Sequence, residues 1–381
     1  MSISPSRQRG ALLALYGVGV AVATIQRGVL SREHTTFTIF RQSFAHLARH
    51  QNLYAAYPAE QGAAAADLFK YSPSAAMLFA PLAVIPYPLA LLLWNALNTG
   101  LLVFAVMRLL PPRRANLALL LLAPEVFVAI QSSSSNGLVT ALILLAAIAY
   151  EEGRLLRAGY AVVVGAAIKI FPLAALVFGV LQVRRRTAVI ATAIALIAVA
   201  SLPLLIIPPR ELVQQYRWWL SVERTDAADM MFGLSLMRQL RDWSQITWPN
   251  WVVQLLGTAF FLLPIALRRE SWKNEAFRMQ YLCSLLVFVV LFNHQAERQS
   301  FIIAATGCVL WYVNSRRTVE GAVLLGIGLL GVPTLPYLAL WLVIHFELLR
   351  GTPSLRLATE PIVRPVPVVT PRWIARYRAA S

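Results

Sequence analysis

An all-α, polytopic membrane bundle is the fold class this sequence predicts, and three observations predict it. Of 381 residues, 58% are apolar and only 13% are charged, against roughly 25% charged in a soluble globular chain. Long stretches such as 71–107 and 187–209 carry no charged side chain, and about 20 apolar residues are enough for a helix to cross a bilayer. The net charge of +17 is gathered in short clusters between those stretches: Arg108, Arg113 and Arg114; Arg184, Arg185 and Arg186; Arg268, Arg269, Lys273 and Arg278; Arg316 and Arg317. That placement is the positive-inside pattern, so membrane lipids are expected partners and nucleic acid is not.

Residues 11–30 form the first span. It is retained rather than cleaved, because Gln26 and Arg27 stand where a signal peptide needs small residues. With the N-terminus inside, residues 31–74 lie outside. The charge-free stretch 71–107 is 37 residues long, about 55 Å as a helix and too long for one crossing of a ~30 Å core. Pro81, Pro86 and Pro88 divide it into a short outer-leaflet helix at 74–85 and a span at 88–107. Residues 116–131 go out, 132–136 turn and 137–150 return. The run 158–183 has arginines beyond both ends and Lys169 and Pro172 in its middle. Two half-helices meeting at Lys169-Ile170-Phe171-Pro172 keep both arginine clusters on one side, with proline supplying the break; one continuous span is the alternative. Residues 187–208 then exit, 209–249 form a second outer loop and 250–267 return. Segments 280–292 and 300–313 flank a polar turn at 293–298, and two last segments meet at Pro333-Thr334-Leu335-Pro336.

The expectation is about 10–12 membrane segments in one integral domain, 1–349, with interfacial helices in the first outer loop. A basic tail, 350–381, follows, disordered or lying on anionic lipid. Both termini are then cytoplasmic. The outer loops are nearly neutral, with four Lys/Arg against three carboxylates in 31–74 and five against five in 209–249, which agrees with this threading. Cys283 and Cys308 lie in apolar runs and read as core thiols, without disulfide or metal spacing.

The first outer loop carries most of the chemistry. Phe37, Phe40, Phe44 and Leu47 recur at helical spacing, with Arg41, Arg49 and His50 around them. This predicts an amphipathic helix in the interface, aromatic face in lipid. Glu60, Asp67, Lys70 and Tyr71 follow, bringing carboxylate, ammonium and phenol groups to the point of membrane re-entry; a structural cap on the bundle is the alternative. Lys169, alone in an apolar run, is expensive there and so a functional candidate. A phosphate is its natural partner, and snorkelling to the interface is the alternative. His294, Glu297 and Arg298 offer a proton carrier and a phosphate clamp, or form a plain interfacial turn. Ser132 to Ser135 with Asn136 make a short polar tip, weak as a motif. No phosphate-cradling glycine loop or Cys/His metal pattern occurs, and no soluble domain is available to hold a nucleotide.

Taken in this order, these segments resemble the family 87 glycosyltransferases, polyprenol-phosphate-mannose-dependent membrane enzymes with the GT-C fold. The likeness runs from about Phe37 to about Gly307. It is carried by the interfacial helix leading to Tyr57-Pro58, by the stretch from Lys70 to Asn98 (KYSPSAAMLFAPLAVIPYPLALLLWNALN), by IQSSSSN ending at Asn136, by Lys169-Ile170-Phe171-Pro172, and by Asn293-His294. The resemblance implies transfer of a hexose, mannose-like, from a polyprenyl-phosphate sugar to a lipid or glycan acceptor, on the extracytoplasmic face of a bacterial inner membrane. It implies an acidic base in the first outer loop. The family's aspartate commonly stands just before the aromatic helix, where this sequence reads His34-Thr35-Thr36-Phe37. Asp67, Glu60 and Glu33, in that order, are the acids left to serve as base, with His294 behind them. Lys70, Tyr71, Lys169, Arg298 and Arg41 are the candidates for the donor and its phosphate, and Asn136 and Glu297 complete the polar set. No cofactor is expected, and a divalent metal is left open. Two other readings remain. One is a transporter or lipid flippase using a broken helix and buried lysine, against which stand the absence of an internal repeat and the length of the first outer loop. The other is a catalytically inactive member.

Overall fold

Ser4 and Pro5 begin the first helix, α1 (Pro5–Ile25). The Ser4 hydroxyl accepts from the Arg7 amide at 3.4 Å, and proline occupies a position whose N–H has no helical partner. The computed structural model describes residues 4–31, 36–57, 68–228, 233–245, 248–331 and 333–355, and among these it is helical without a strand. α1 continues as a π-helix through Leu30. α2 (Thr36–Ala48), α3 (Pro73–Leu78) and α4 (Ala80–Ala83) precede α5 (Tyr87–Leu109) and α6 (Pro112–Gln131). Pro86, Pro88, Pro111 and Pro112 bracket the last two, each where proline starts a helix without losing a bond. Then come α7 (Asn136–Glu151), α8 (Leu155–Ile168), α9 (Leu176–Val180) and α10 (Arg185–Ala200), followed by α11 (Pro209–Ala228) and α12 (Leu236–Ser244). The chain finishes with α13 (Asn250–Leu267), α14 (Glu275–Leu291), α15 (Phe301–Asn314), α16 (Val319–Leu329) and α17 (Thr334–Arg350).

Among the described residues, four helices are long and apolar enough to cross a membrane: α1 with its extension to Leu30, α5, α6 and α13. The other apolar helices are shorter; α8 has 14 residues, about 21 Å. The protein is an all-α polytopic membrane protein. The basic tail expected beyond residue 349 falls outside the described residues from 356 onward.

Ion pairs and hydrogen bonds hold the clustered arginines at the helix ends where the sequence groups them. Arg108 and Arg154 share Glu152, at 2.5 and 2.7 Å. Arg278 grips Glu151 through two nitrogens at 2.5 and 2.7 Å. Arg114 donates to Asn314 at 2.8 Å and Arg268 to the Leu349 carbonyl at 2.6 Å. Cys283 and Cys308 are buried free thiols.

The run 158–183 folds back on itself. A Cβ at Gly159 would stand 3.0 Å from the Ala191 carbonyl oxygen, and Val163 and Ala167 pack with Ala195 and Val199. The constant spacing makes α8 and α10 parallel neighbours. Consecutive helices can be parallel only if the chain between them returns. It does: Lys169 meets Asn136 at the start of α7, and Gly179 lies against the Tyr150 hydroxyl at its end. The return arm is a 3-10 turn, Phe171–Ala175, and the short α9. Its ~2.0 Å rise per residue in the 3-10 part lets few residues cover that length. The two-armed reading of this run therefore holds.

Two expectations are corrected. The aromatic face of α2 does not lie in lipid: Phe37, Phe40 and Leu47 are fully buried in protein. Phe40 stacks on Phe79 with centroids 4.6 Å apart and planes at 4°, and meets Tyr71 at 4.6 Å and Trp94 at 5.5 Å. The segment read as one helix at 74–85 is two, α3 and α4, meeting at Phe79. Together with the first turns of α5 they supply an apolar wall, and ring–ring packing there replaces contact with lipid.

Candidate active site

The break after α8 leaves the Ala167 carbonyl without its helical donor, and the first outer loop supplies one. The Ser72 amide and hydroxyl both donate to it, at 3.2 and 3.0 Å. The preceding carbonyls are held as well: Tyr54 hydroxyl to Tyr71 at 2.8 Å, Trp219 indole to Lys70 at 3.2 Å. Lys70 and Tyr71 are thereby fixed beside the helix break, 95 residues away in sequence at Ser72–Ala167. α11 closes this corner. Its Gln215 accepts from the Leu53 amide and donates to the Gln51 carbonyl, at 3.2 and 2.8 Å. Tyr216 donates to the Ala200 carbonyl at 3.2 Å and lies 3.0 Å from the Ser74 hydroxyl. Burial raises the Tyr216 phenol above its ordinary pKa while the Ser74 contact acts the other way, so it stays a protonated donor.

Lys169, half-buried, donates from Nζ to Asn136 Oδ1 at 3.0 Å, with the Phe171 ring 5.9 Å away. Asn136 in turn donates to the Gln299 carbonyl at 3.0 Å and to Ser134 Oγ at 3.3 Å. Gln299 donates through its side chain to the Glu297 carboxylate, whose charge acts on Lys169. The turn before Asn136 is fixed by Trp94, whose indole donates to the Ser133 carbonyl at 2.8 Å, and by Asn98, which accepts from the Leu138 amide at 3.0 Å. An ammonium with three donors is thus presented at a helix break, aimed by one amide.

Arg298 is already engaged. Its Nη1 and Nη2 donate to Oε2 and Oε1 of Glu125 at 2.6 and 2.9 Å. The Glu125 side chain is 0% exposed and that of Arg298 29%. Removing the guanidinium would strand a buried carboxylate, at a cost of about 3–5 kcal/mol. Arg298 therefore stays on Glu125 rather than swinging freely to a substrate. Glu125 was not among the residues singled out from sequence. The signal was there: it is the only charged residue between Arg114 and Glu151, the same kind of lone intramembrane charge that drew attention to Lys169.

The 293–300 turn is pinned from outside by the segment after Gly233. The Leu234 amide donates to the Ala296 carbonyl at 2.7 Å, and Thr334 Oγ1 donates to the Leu234 carbonyl at 2.7 Å. Gly233 has φ +70° and its Cβ would stand 2.3 Å from the Ala296 oxygen, so only glycine fits. His294 Nδ1 lies 3.3 Å from the Gln254 side-chain amide on α13.

Of the residues named from sequence, Asn136, Lys169, Glu297 and Arg298 form one cluster, with Lys70 and Tyr71 at its edge. His294 is on the same turn, turned toward Gln254. Arg41 is engaged elsewhere, donating to the Leu82 and Ile85 carbonyls at 3.3 and 3.0 Å, where it ties α2 to the re-entry helices. Glu33, Glu60 and Asp67 lie outside the described residues. Among the described residues, no three His, Cys, Asp or Glu side chains cluster in the manner of a metal site.

The model of glycosyltransferase family 87 matches the chain over residues 69–292, well over half its length. That span includes Lys70, Glu125, Asn136 and Lys169 and ends just before His294. No curated protein matches the chain.

Proposed function

Because the chain belongs to glycosyltransferase family 87 and is a membrane glycosyltransferase, we propose that it moves a hexose, mannose-like, from a polyprenyl-phosphate sugar to a lipid or glycan hydroxyl on the extracytoplasmic face of a bacterial inner membrane. The observation that carries this reading is Lys169: an ammonium at a helix break, aimed by Asn136 at 3.0 Å and adjoining the re-entry segment through Ser72. A lipid phosphate near the interface is the anion that such a site suits.

The transfer is a single displacement and inverts the anomeric centre. The acceptor oxygen attacks the anomeric carbon while a carboxylate takes its proton. The bond from that carbon to the phosphate oxygen breaks, and the electron pair leaves on the lipid phosphate, where Lys169 stabilises the growing charge with Lys70 beside it. Arg298, already on Glu125, contributes less net charge. Asp67 is the first choice for base, then Glu60 and Glu33, with His294 the reserve.

The arginine clusters at the helix ends support a cytoplasmic placement of those ends and an outward-facing site. Family membership sets aside the transporter or flippase reading. The test is transfer of labelled hexose by membranes containing the protein. Transfer is expected from the polyprenyl-phosphate sugar and not from the sugar nucleotide. Transfer from the nucleotide alone, or none from any lipid-linked sugar, overturns the reading.

A further inference from the structure

Two lone charges sit in the apolar body of this protein. Lys169 faces the break after α8. Glu125 sits in α6 just after Pro124, six residues from the helix end at Gln131, about 9 Å down the helix. They are joined by a chain of contacts: Glu125 binds Arg298, the Gln299 carbonyl next to Arg298 accepts from Asn136, and Asn136 accepts from Lys169. Every link is 3.0 Å or shorter. The pair also has a geometry that a simple charge-neutralising contact does not need. Two parallel N–H···O bonds fix both the position and the plane of the guanidinium, and hence the backbone from Glu297 to Ser300 that carries it. The Tyr337 hydroxyl is buried without a hydrogen-bond partner and lies within electrostatic reach of Glu125 and Arg298.

We propose that Glu125 is a positioning residue of the transfer site: through its paired bonds to Arg298 it sets the height of the Gln299 carbonyl, and through Asn136 it aims the Lys169 ammonium at the donor phosphate. The proposal rests on the lipid-phosphate reading above. It gives the buried pair a job that neither partner performs on the substrate itself. It also explains why an ion pair is kept deep in the bundle, where a pair of apolar residues would pack at little cost. In the free-guanidinium alternative, Arg298 would clamp the phosphate and Glu125 would be a competitor to be displaced, so removing the carboxylate would strengthen donor binding. The proposal demands the opposite sign.

The experiment uses the purified full chain and measures the Kd of polyprenyl phosphate alongside KM and kcat for the lipid-linked sugar. Glu125→Gln keeps the shape and one hydrogen bond but loses the charge. It is expected to weaken polyprenyl-phosphate binding about tenfold, equivalent to about 1.4 kcal/mol, and to lower kcat/KM for the lipid-linked sugar by at least as much, with part of the loss in kcat because Lys169 also meets the departing phosphate. Lys169→Met supplies the discriminating background. If Glu125 acts only by aiming Lys169, Glu125→Gln has no further effect on Kd in that background, whereas a general packing defect multiplies with it. Should Glu125→Gln fail to accumulate in membranes, Arg298→Lys breaks the paired geometry from the more exposed side and is taken through the same cycle. Unchanged or tighter binding in the single variant, or multiplying effects in the double variant, overturns the proposal. A wild-type protein that binds polyprenyl phosphate but transfers nothing would sink the transferase chemistry alone. One that does not bind it would sink both.

Discussion

Lys169 and Asp67 are assigned different work, and substitution should separate them. Loss of the Lys169 ammonium removes a charge-assisted contact worth about 1.5–3 kcal/mol. Lys169→Met is therefore expected to raise donor KM roughly 10- to 100-fold, with the protein still inserted. Asp67→Asn is expected to leave donor KM near normal and to lower kcat by about 10²–10⁴, the range for a lost general base. Steady-state kinetics with varied donor checks both. Unchanged KM in the lysine variant returns Lys169 to an anchoring role, and near-normal kcat in Asp67→Asn, Glu60→Gln and Glu33→Gln passes the base to His294. At this scale the sequence was readable where a polar group in an apolar run coincided with a break or a turn. Lys169, Asn136 and the 293–298 turn were found that way. Glu125 was missed because its run had no break, tip or proline-flanked turn to mark it apart from Pro124, and only its partner across the bundle gives it meaning. Arg41 was misjudged for the converse reason: a cation in an amphipathic helix says nothing of the two backbone carbonyls waiting in a neighbouring segment.

Among the elements, the return arm is the one on which the site's shape depends. Gly165 on α8 lets Pro172 come so close that a Cβ there would lie 2.6 Å from the Pro172 ring. Gly165→Ala is expected to push the arm away, costing about 1–3 kcal/mol and displacing Lys169 from Asn136. Gly100→Ala, in mid-α5 with nothing within 4 Å of its Cβ, is expected to be neutral or to stabilise by up to about 1 kcal/mol. Opposite shifts in Tm for the two variants, measured in the same detergent, check this; a common sign refutes it. The arm was legible from arginines at both of its ends together with one proline, a contradiction that only a reversal resolves. The lipid-facing assignment of α2 failed because helical periodicity reports that a face is apolar and is silent on whether lipid or protein covers it. Here the covering rings, Phe79 and Trp94, come from segments 31 or more residues onward.

For the molecule as a whole, the distribution of charge predicts its orientation. Ser244 at the end of α12 and Glu270 after α13 are both exposed and lie on either side of one apolar helix. In intact cells an impermeant thiol reagent is expected to label Ser244→Cys and to spare Glu270→Cys until the membrane is opened. The native Cys283 and Cys308 are buried and leave the background silent. Labelling of Glu270→Cys in intact cells would invert the bundle and with it the side on which the sugar is transferred.

The bond pair from Ser72 to Ala167 has a bearing on how the protein is made. In an uninterrupted helix the donor to a carbonyl lies four residues ahead on the same strand of chain; here it arrives from a loop synthesised 95 residues earlier. The ribosome therefore delivers the cap long before the helix that it caps, and Ser72 can find its acceptor only after six further helices, α3 to α8, have been laid down. The reactive corner is thus a late product of biogenesis. A nascent chain halted before residue 167 would hold its first loop, its aromatic cluster and Lys70, and still lack the carbonyl that fixes Ser72 beside the helix break.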